Sequence, residues 1–506
     1  MKSLEQNLCK VCQYGGIILV GLVICFLAFY NLEYYPTTWF DDGWHLLASK
    51  ELASTGRYVL GPAAGPTLFI SIAAMFRVAG VGILQARLVM AAYLLLTICG
   101  FYILARRLHN ARTAMVAMLL LISSPGVDLI RWGRQALGEV PAALFFLAGS
   151  LVWFKAIEGK QEKGRLILVG ILLGLAILTK NQLLLIVPAW LVLWFADRVY
   201  FRRCTHSSFL LPLLSAFSCV AAWYVGQRFL FSAGQQLAQR NVEEWVGSLS
   251  RGILTLSPRR ALDAIKLLTG QDAFYAWALP AWLYAALMSL RRNKVDLRQA
   301  LLASVVAVWF SWFVLFSVGW PRYAFLPLTL SAIFVAWLFH DLTDGFRLPA
   351  KELWAAARAG QWDVAATGRL ALLALLAIMI VRPLQARFGE VIGQMDTSPQ
   401  AMAAYITAHV EPEAKIETWE PEICFLTGYK CHFPPMQAMD AAIKYIWYDA
   451  PPPSAWYDFL QYDSQYLLIG DFGQWTHLYD PALVQQHCEW LVSIGNYELY
   501  RIKESD

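Results

Sequence analysis

Shortly after an apolar run near the start of the chain stands Trp39-Phe40-Asp41-Asp42-Gly43-Trp44-His45, two adjacent carboxylates flanked by bulky aromatic residues. Partial burial against those rings and the nearness of a like charge both act to raise one carboxylate's pKa, which is how a general base is commonly prepared. Aspartate is equally a favoured helix N-cap, so Asp41 and Asp42 carry both readings at this point. His45, one turn further on, is placed to bond a substrate or one of the acids. A second cluster runs from Asp128 to Glu139 and includes Arg131 and Arg134. Glu139 directly precedes Val140-Pro141, which fits a helix N-terminus. An acid dipping into an apolar zone is also costly, and by default marks a site. Lys180, in Leu178-Thr179-Lys180-Asn181-Gln182, and Arg322, in Gly319-Trp320-Pro321-Arg322-Tyr323, are isolated cations at the ends of apolar runs. Snorkelling accounts for such cations; so does holding an anionic headgroup, with Tyr323 beside Arg322.

The elements that carry these residues are membrane spans. Of the 506 residues, 58% are hydrophobic and only 15% charged, against about 25% charged in an average soluble chain. A mean hydropathy of +0.48 points to lipid as the solvent. The 21 Trp and 22 Tyr suit a protein with two membrane interfaces to anchor. Hydropathy predicts about eleven spans of roughly 20 residues each. They lie near 13–32, 86–105, 111–124, 140–156, 165–180, 182–200, 208–230, 273–290, 300–319, 323–340 and 369–387. Met1 to Tyr30 resembles a signal peptide in charge and apolar run, but has no small-residue cleavage site before Tyr34-Tyr35-Pro36, and reads as a retained anchor.

Short basic loops alternate with larger segments. Arg106-Arg107, Lys155 to Arg165, Arg202-Arg203, Arg291 to Arg298 and Arg347 to Lys351 fall on one side. The positive-inside rule makes that side cytoplasmic, with the N-terminus inside and the C-terminus outside. Outer loops 33–85 and 231–272 and a soluble tail from about 390 then share the opposite face. The first loop holds two interfacial helices, near 42–55 and 65–78. This divides the chain into a membrane module, 1–389, and an α/β domain, 390–506. The domain's predicted elements are a helix over 401–409 and strands over 415–419, 466–470 and 497–502. Cys424 and Cys431 bracket a Gly428 turn in that outer domain, where a local disulfide is expected.

Asp41, Asp42, Glu139, Lys180 and Arg322 all fall at outer ends of spans. A polyprenyl-phosphate sugar donor needs this combination: cations for the phosphate and an acid to take the acceptor's proton. The cysteines and histidines show no metal spacing; Cys9 and Cys12 form a lone CxxC without a second pair. No HExxH, GxSxG or Walker motif occurs. A net charge of +5 gives no nucleic-acid footprint.

Asp41 to Ala48, followed by Leu52 to Tyr58, resembles the first outer loop of bacterial glycosyltransferase family 39-like proteins. That group includes relatives of protein O-mannosyltransferases and of the lipid A aminoarabinose transferase. Arg131 to Glu139, Leu178-Thr179-Lys180, Pro321-Arg322-Tyr323 and, in the tail, Glu417 to Glu422 with His432-Phe433-Pro434-Pro435 continue the likeness in order. The resemblance implies a GT-C fold, inverting sugar transfer from a lipid-phosphate donor at the periplasmic face of a bacterial inner membrane, and no obligatory cofactor or metal. It implies the acid roles for Asp41 and Asp42, and donor-phosphate proximity for Lys180 and Arg322. Relatives often carry Asp where this chain has Glu139. Arg131 and Arg134 join the substrate-binding candidates by placement alone. Sugar and acceptor (glycan, lipid or protein) are not written in these motifs. The competing reading, a lipid-linked sugar transporter, calls for mid-span charges and inverted repeats, neither of which is evident.

Overall fold

The computed structural model describes residues 2–59, 65–159, 162–231, 257–270, 273–290, 296–317, 319–393, 395–448 and 457–503. Each of the predicted apolar segments folds as helix. Among the described residues, seven helices are long and apolar enough to cross a membrane, from Ile83–Leu108 to Val364–Ile392. Ile18–Phe29, Ala111–Ser123 and Ala276–Ser289 are apolar but shorter, and Lys163–Thr179 has 17 residues. At about 1.5 Å per residue, Ala111–Ser123 reaches roughly 20 Å, short of a core about 30 Å thick. Its ends are shielded by Ile83–Leu108, Phe325–Leu342 and Val364–Ile392, which pack around it. Phe325–Leu342 is the central post, buried along nearly its whole length.

The segment expected as the first outer loop folds as the two expected helices, Phe40–Thr55 and Pro66–Ala79. Gly56, at φ 72, stops the first of them. Pro66 opens the second, where its missing N–H costs nothing. Neither helix lies free on the interface. Leu46, Leu52, Leu68, Phe69 and Phe76 form a core with Phe425 of the tail, so the loop is a packed layer between bundle and tail. Of the expected outer loop 231–272, residues 232–256 and 271–272 lie outside the described residues; Pro258–Gly270 is a helix.

The tail is a small mixed α/β unit. Its strands are β1 (Lys415–Thr418), β2 (Lys430–His432), β3 (Tyr466–Ile469), β4 (Cys488–Ile494) and β5 (Tyr497–Ile502), in the order β2-β1-β3-β5-β4. β1, β2 and β3 run parallel, while β5 is antiparallel to both β3 and β4. Sequence reading found β1, β3 and β5 but not β2 or β4. The missed β4–β5 hairpin turns on Gly495-Asn496, with Gly495 at φ 59, a two-residue turn signal in its own right. Cys424 and Cys431 are joined in a disulfide that ties the Pro421–Thr427 helix to β2.

Candidate active site

Four charged side chains from four separated elements meet at one end of the bundle. Asp41 sits in the first turn of Phe40–Thr55 and Glu139 begins Glu139–Glu158. Lys180 occupies the break between Lys163–Thr179 and the short 3-10 turn Asn181–Leu185. Arg322 lies in the turn Pro321–Ala324 that leads into the central post. Arg322 is ion-paired with Asp41. Its Nε lies 4.0 Å from Glu139 Oε1, the same oxygen that takes Lys180 Nζ at 2.8 Å. The order Asp41–Arg322–Glu139–Lys180 alternates in sign, and all four side chains are at most 13% exposed. Two acids and two cations cancel, which is what makes so much buried charge tolerable. Burial pushes Asp41 upward, but Arg322, then His45 and Lys180, outweigh it and hold the carboxyl below the usual range. Asp41 is therefore ionised at neutral pH.

Glu139, Lys180, Gln182, Trp309, Arg322 and Tyr323 line a narrow cleft. Aromatic rings frame Arg322: its guanidinium lies 4.9 Å from the Trp320 ring centre and 5.8 Å from that of Tyr323. The Tyr323 carbonyl accepts from Trp309 Nε1 at 2.7 Å, which pins the turn. Lys180 is held by the loop beneath it. The Thr67 and Thr179 hydroxyls are hydrogen-bonded, and a Cβ on Gly65 would fall 1.6 Å from Leu178 O. Only glycine fits that approach.

Asp42 and His45 form a layer behind the cluster. Asp42 is 2% exposed; its Oδ1 accepts from Ala136 N at 2.8 Å and its Oδ2 from Arg87 at 3.3 Å. His45 Nδ1 bonds the carbonyl of the same Ala136. The pair thus clamps the Glu139 loop onto the helix that carries Asp41. Arg87 was missed in the sequence, although a charge at the head of an apolar span needs a partner. The N-cap reading of the acids does not hold: the cap of Phe40–Thr55 is Trp39, with no side-chain bond.

Two expected substrate cations are not in the cluster. Arg134 is fully buried and donates to Leu27 O at 2.8 Å and Tyr30 O at 2.7 Å, fastening the end of the first helix. Arg131 is exposed and lies over the Trp132 ring. The Arg134 guanidinium is committed to those carbonyls, and neither arginine ion-pairs with Asp41 or Glu139 as Arg322 does.

The tail covers the same region. Phe472 stacks flat on Phe40, with centroids 3.8 Å apart and planes 7° apart. Trp39 and Trp475 both approach Trp320. A Cβ on Gly43 would lie 2.3 Å from Glu422 N, so tail backbone rests directly on the loop helix. Glu420 sets the Phe472 turn, its Oε1 accepting from Phe472 N at 3.1 Å and Gly473 N at 2.9 Å. Glu422 accepts from the Tyr497 hydroxyl at 2.8 Å. Among the described residues no group of three His, Cys, Asp or Glu side chains converges as a metal site would.

This architecture is a GT-C fold: a bundle of candidate spans, a helical first loop bearing an acid, and a small sheet-bearing tail packed on it. Residues 63–224 match the family described as dolichyl-phosphate-mannose-protein mannosyltransferase, a stretch that takes in Glu139 and Lys180 but not Asp41 or Arg322. The chain is similar to ArnT from Cupriavidus metallidurans bound to undecaprenyl phosphate, at TM-score 0.64 and 15% identity over 96% of this chain and 98% of that one. The apo state of the same protein gives TM-score 0.64 and 16% identity over 97% and 98%. The archaeal oligosaccharyltransferase AglB from Archaeoglobus fulgidus, in complex with an inhibitory peptide and a dolichol-phosphate, gives TM-score 0.60 and 13% identity over 96% and 74%. No curated protein sequence matches significantly.

Proposed function

We propose that this chain is an inverting glycosyltransferase that moves a sugar from a polyprenyl-phosphate donor to an acceptor hydroxyl at the outer face of a bacterial inner membrane. The observation that carries the reading is the alternating cluster Asp41–Arg322–Glu139–Lys180, set in a fold shared with a protein that binds undecaprenyl phosphate.

A phosphodiester entering the cleft carries one negative charge and several acceptor oxygens. It competes with Asp41 and Glu139 for the N–H groups of Arg322 and Lys180, forming charge-assisted bonds of the stronger kind. Asp41, released from Arg322, accepts the proton of the acceptor hydroxyl. The acceptor oxygen forms a new bond to the anomeric carbon while the bond to the phosphate oxygen breaks, its electron pair leaving on the phosphate. That oxygen is already a good leaving group, so charge stabilisation by Arg322 and Lys180 does more for it than a proton donor would. Attack opposite the phosphate inverts the anomeric centre. Asp42 and His45 position the two acid-bearing elements.

The basic loops on one side and the Cys424–Cys431 disulfide in the tail support an outward-facing site. The test is release of free polyprenyl phosphate from a panel of lipid-phosphate sugars by the chain in nanodiscs, with native envelope extract as acceptor, read by mass spectrometry. Release by the parent chain that collapses in Asp41→Asn supports the reading. No release across the panel by well-folded protein favours the transporter.

A further inference from the structure

The tail holds a second concavity, apart from the charged cleft. It is a groove of about 530 Å³, within the roughly 300–1,000 Å³ typical of small-molecule sites. One face of β4 and β5 forms its floor. Trp490 pairs directly across from Tyr500 in the ladder, and both line the groove together with Glu498. Gln474, His477 and Gln485 rise along its walls. Trp490 is 59% exposed, although it lies in a strand of a soluble unit where a large ring would ordinarily be covered. Among the described residues no lysine or arginine lines the groove, and Glu498 is the acidic one that does.

We infer that this groove is a saccharide-binding subsite that holds a neutral stretch of the acceptor. The chemistry of its lining selects among ligands. The exposed Trp490 ring offers a platform for the C–H face of a sugar ring. Amides, an imidazole and a carboxylate beside it offer acceptors and donors for hydroxyls. A phosphate or anionic headgroup would meet Glu498, with no lysine or arginine among the described lining residues to balance it. The groove also connects to the reaction centre through one helix. Gln474 of Asp471–Thr476 faces the groove, while Phe472 of the same helix stacks on Phe40, next to Asp41. An oligosaccharide seated on Trp490 therefore lies one helix away from the acid that would deprotonate its terminal hydroxyl. The inference rests on the proposed transferase reading only in naming the ligand as acceptor; saccharide binding itself does not.

The test uses the full chain in nanodiscs on an array of neutral and phosphorylated oligosaccharides, alongside Asp41→Asn, Trp490→Ala and Glu498→Gln. The expected result is retention on neutral oligosaccharides by the parent chain and Asp41→Asn alike. Trp490→Ala should bind at least about tenfold more weakly, as for loss of a central aromatic anchor, and Glu498→Gln should also weaken. The inference is overturned by no retention on any neutral saccharide, by equal retention in Trp490→Ala, or by preference for phosphorylated ligands. It is also overturned if Trp490 instead governs self-association of the chain in light scattering. Saccharide retention without polyprenyl-phosphate release would leave this inference standing and sink the transferase reading.

Discussion

Arg322 holds Asp41 across 281 residues of chain. Helix Phe40–Thr55 and the entrance to the central span are thereby joined by that ion pair, and Glu139 stands on the far side of the same guanidinium at 4.0 Å. The cations that would receive a donor phosphate are thus neutralised by the acids that would serve the acceptor.

That pairing separates the two adjacent aspartates. Asp41→Asn removes the proposed base and should lower transfer by about 10²–10⁴-fold, and because Glu139 at 4.0 Å still balances Arg322 its loss of stability should be smaller than that of Asp42→Asn. Asp42→Asn leaves the buried Arg87 without its ion-pair partner, a loss of up to about 3–5 kcal/mol, so its main effect should be on stability. Initial rates and thermal melts of both variants decide it; equal rate losses with equal melts would refute the division of roles.

Lys180 meets Glu139 at 2.8 Å and would turn to the donor. Lys180→Met should raise the donor KM roughly ten- to a hundredfold, the scale of about 1.5–3 kcal/mol for a hydrogen bond to a charged group. Arg134→Met, by contrast, should unfasten the first helix and appear as lost stability. Donor titrations with both variants at matched folded fraction provide the check.

Gly43→Ala should push tail and loop apart. The added methyl would sit 2.3 Å from Glu422 N and 2.8 Å from its Cα, and backbone cannot yield as a side-chain tip does. The expectation is a large fall in kcat while the Cys424–Cys431 disulfide still forms, read by thiol labelling beside kinetics. Full activity in Gly43→Ala would show that the contact is dispensable.

The tail should also be sensitive to pH. Burial lifts Glu420 to about 7 against the pull of the Gly473 N–H, and burial with the nearby Glu420 charge lifts Glu422 well above the ordinary carboxylate range. An acid whose folded pKa lies above its unfolded value binds more protons when folded. Its contribution to stability is complete below about 4.5 and lost as pH rises through about 7. Melting of the tail should therefore fall between pH 5 and 8, and Glu420→Gln should flatten that slope. A rise over the same window would contradict the assignment.

Reduction of Cys424–Cys431 should cost the tail about 2–3 kcal/mol, the entropy of a short closed loop. A membrane-impermeant reductant added to intact spheroplasts should expose both thiols to labelling. Labelling that requires a permeant reductant would place the tail on the cytoplasmic side instead.

The charged cluster was largely legible because Asp41, Glu139, Lys180 and Arg322 stand out at the ends of apolar runs, where a charge needs a reason. Arg134 stands out in the same way. What separates it from Lys180 is the direction of its side chain, toward Leu27 O and Tyr30 O, and hydropathy carries no such information. Asp42 could not be told from Asp41 until Arg87 and Ala136 were seen to occupy its two oxygens. The spans were readable from composition, and β1, β3 and β5 from their apolar residues. The seat of Phe472 on Phe40 was not readable, since it joins residues 432 positions apart by ring packing alone.

The contact of Gly43 with the tail has a consequence for the order in which the protein is made. Helix Phe40–Thr55 leaves the ribosome early, but the segment that supports it, Pro421–Thr427 with Phe472 behind it, is synthesised about 380 residues later, some tens of seconds at ordinary elongation rates. Through that interval the loop waits without its cover. A chain cut short before residue 420 would carry Asp41, Glu139, Lys180 and Arg322 and still lack a finished site, because a segment translated later closes over one translated earlier.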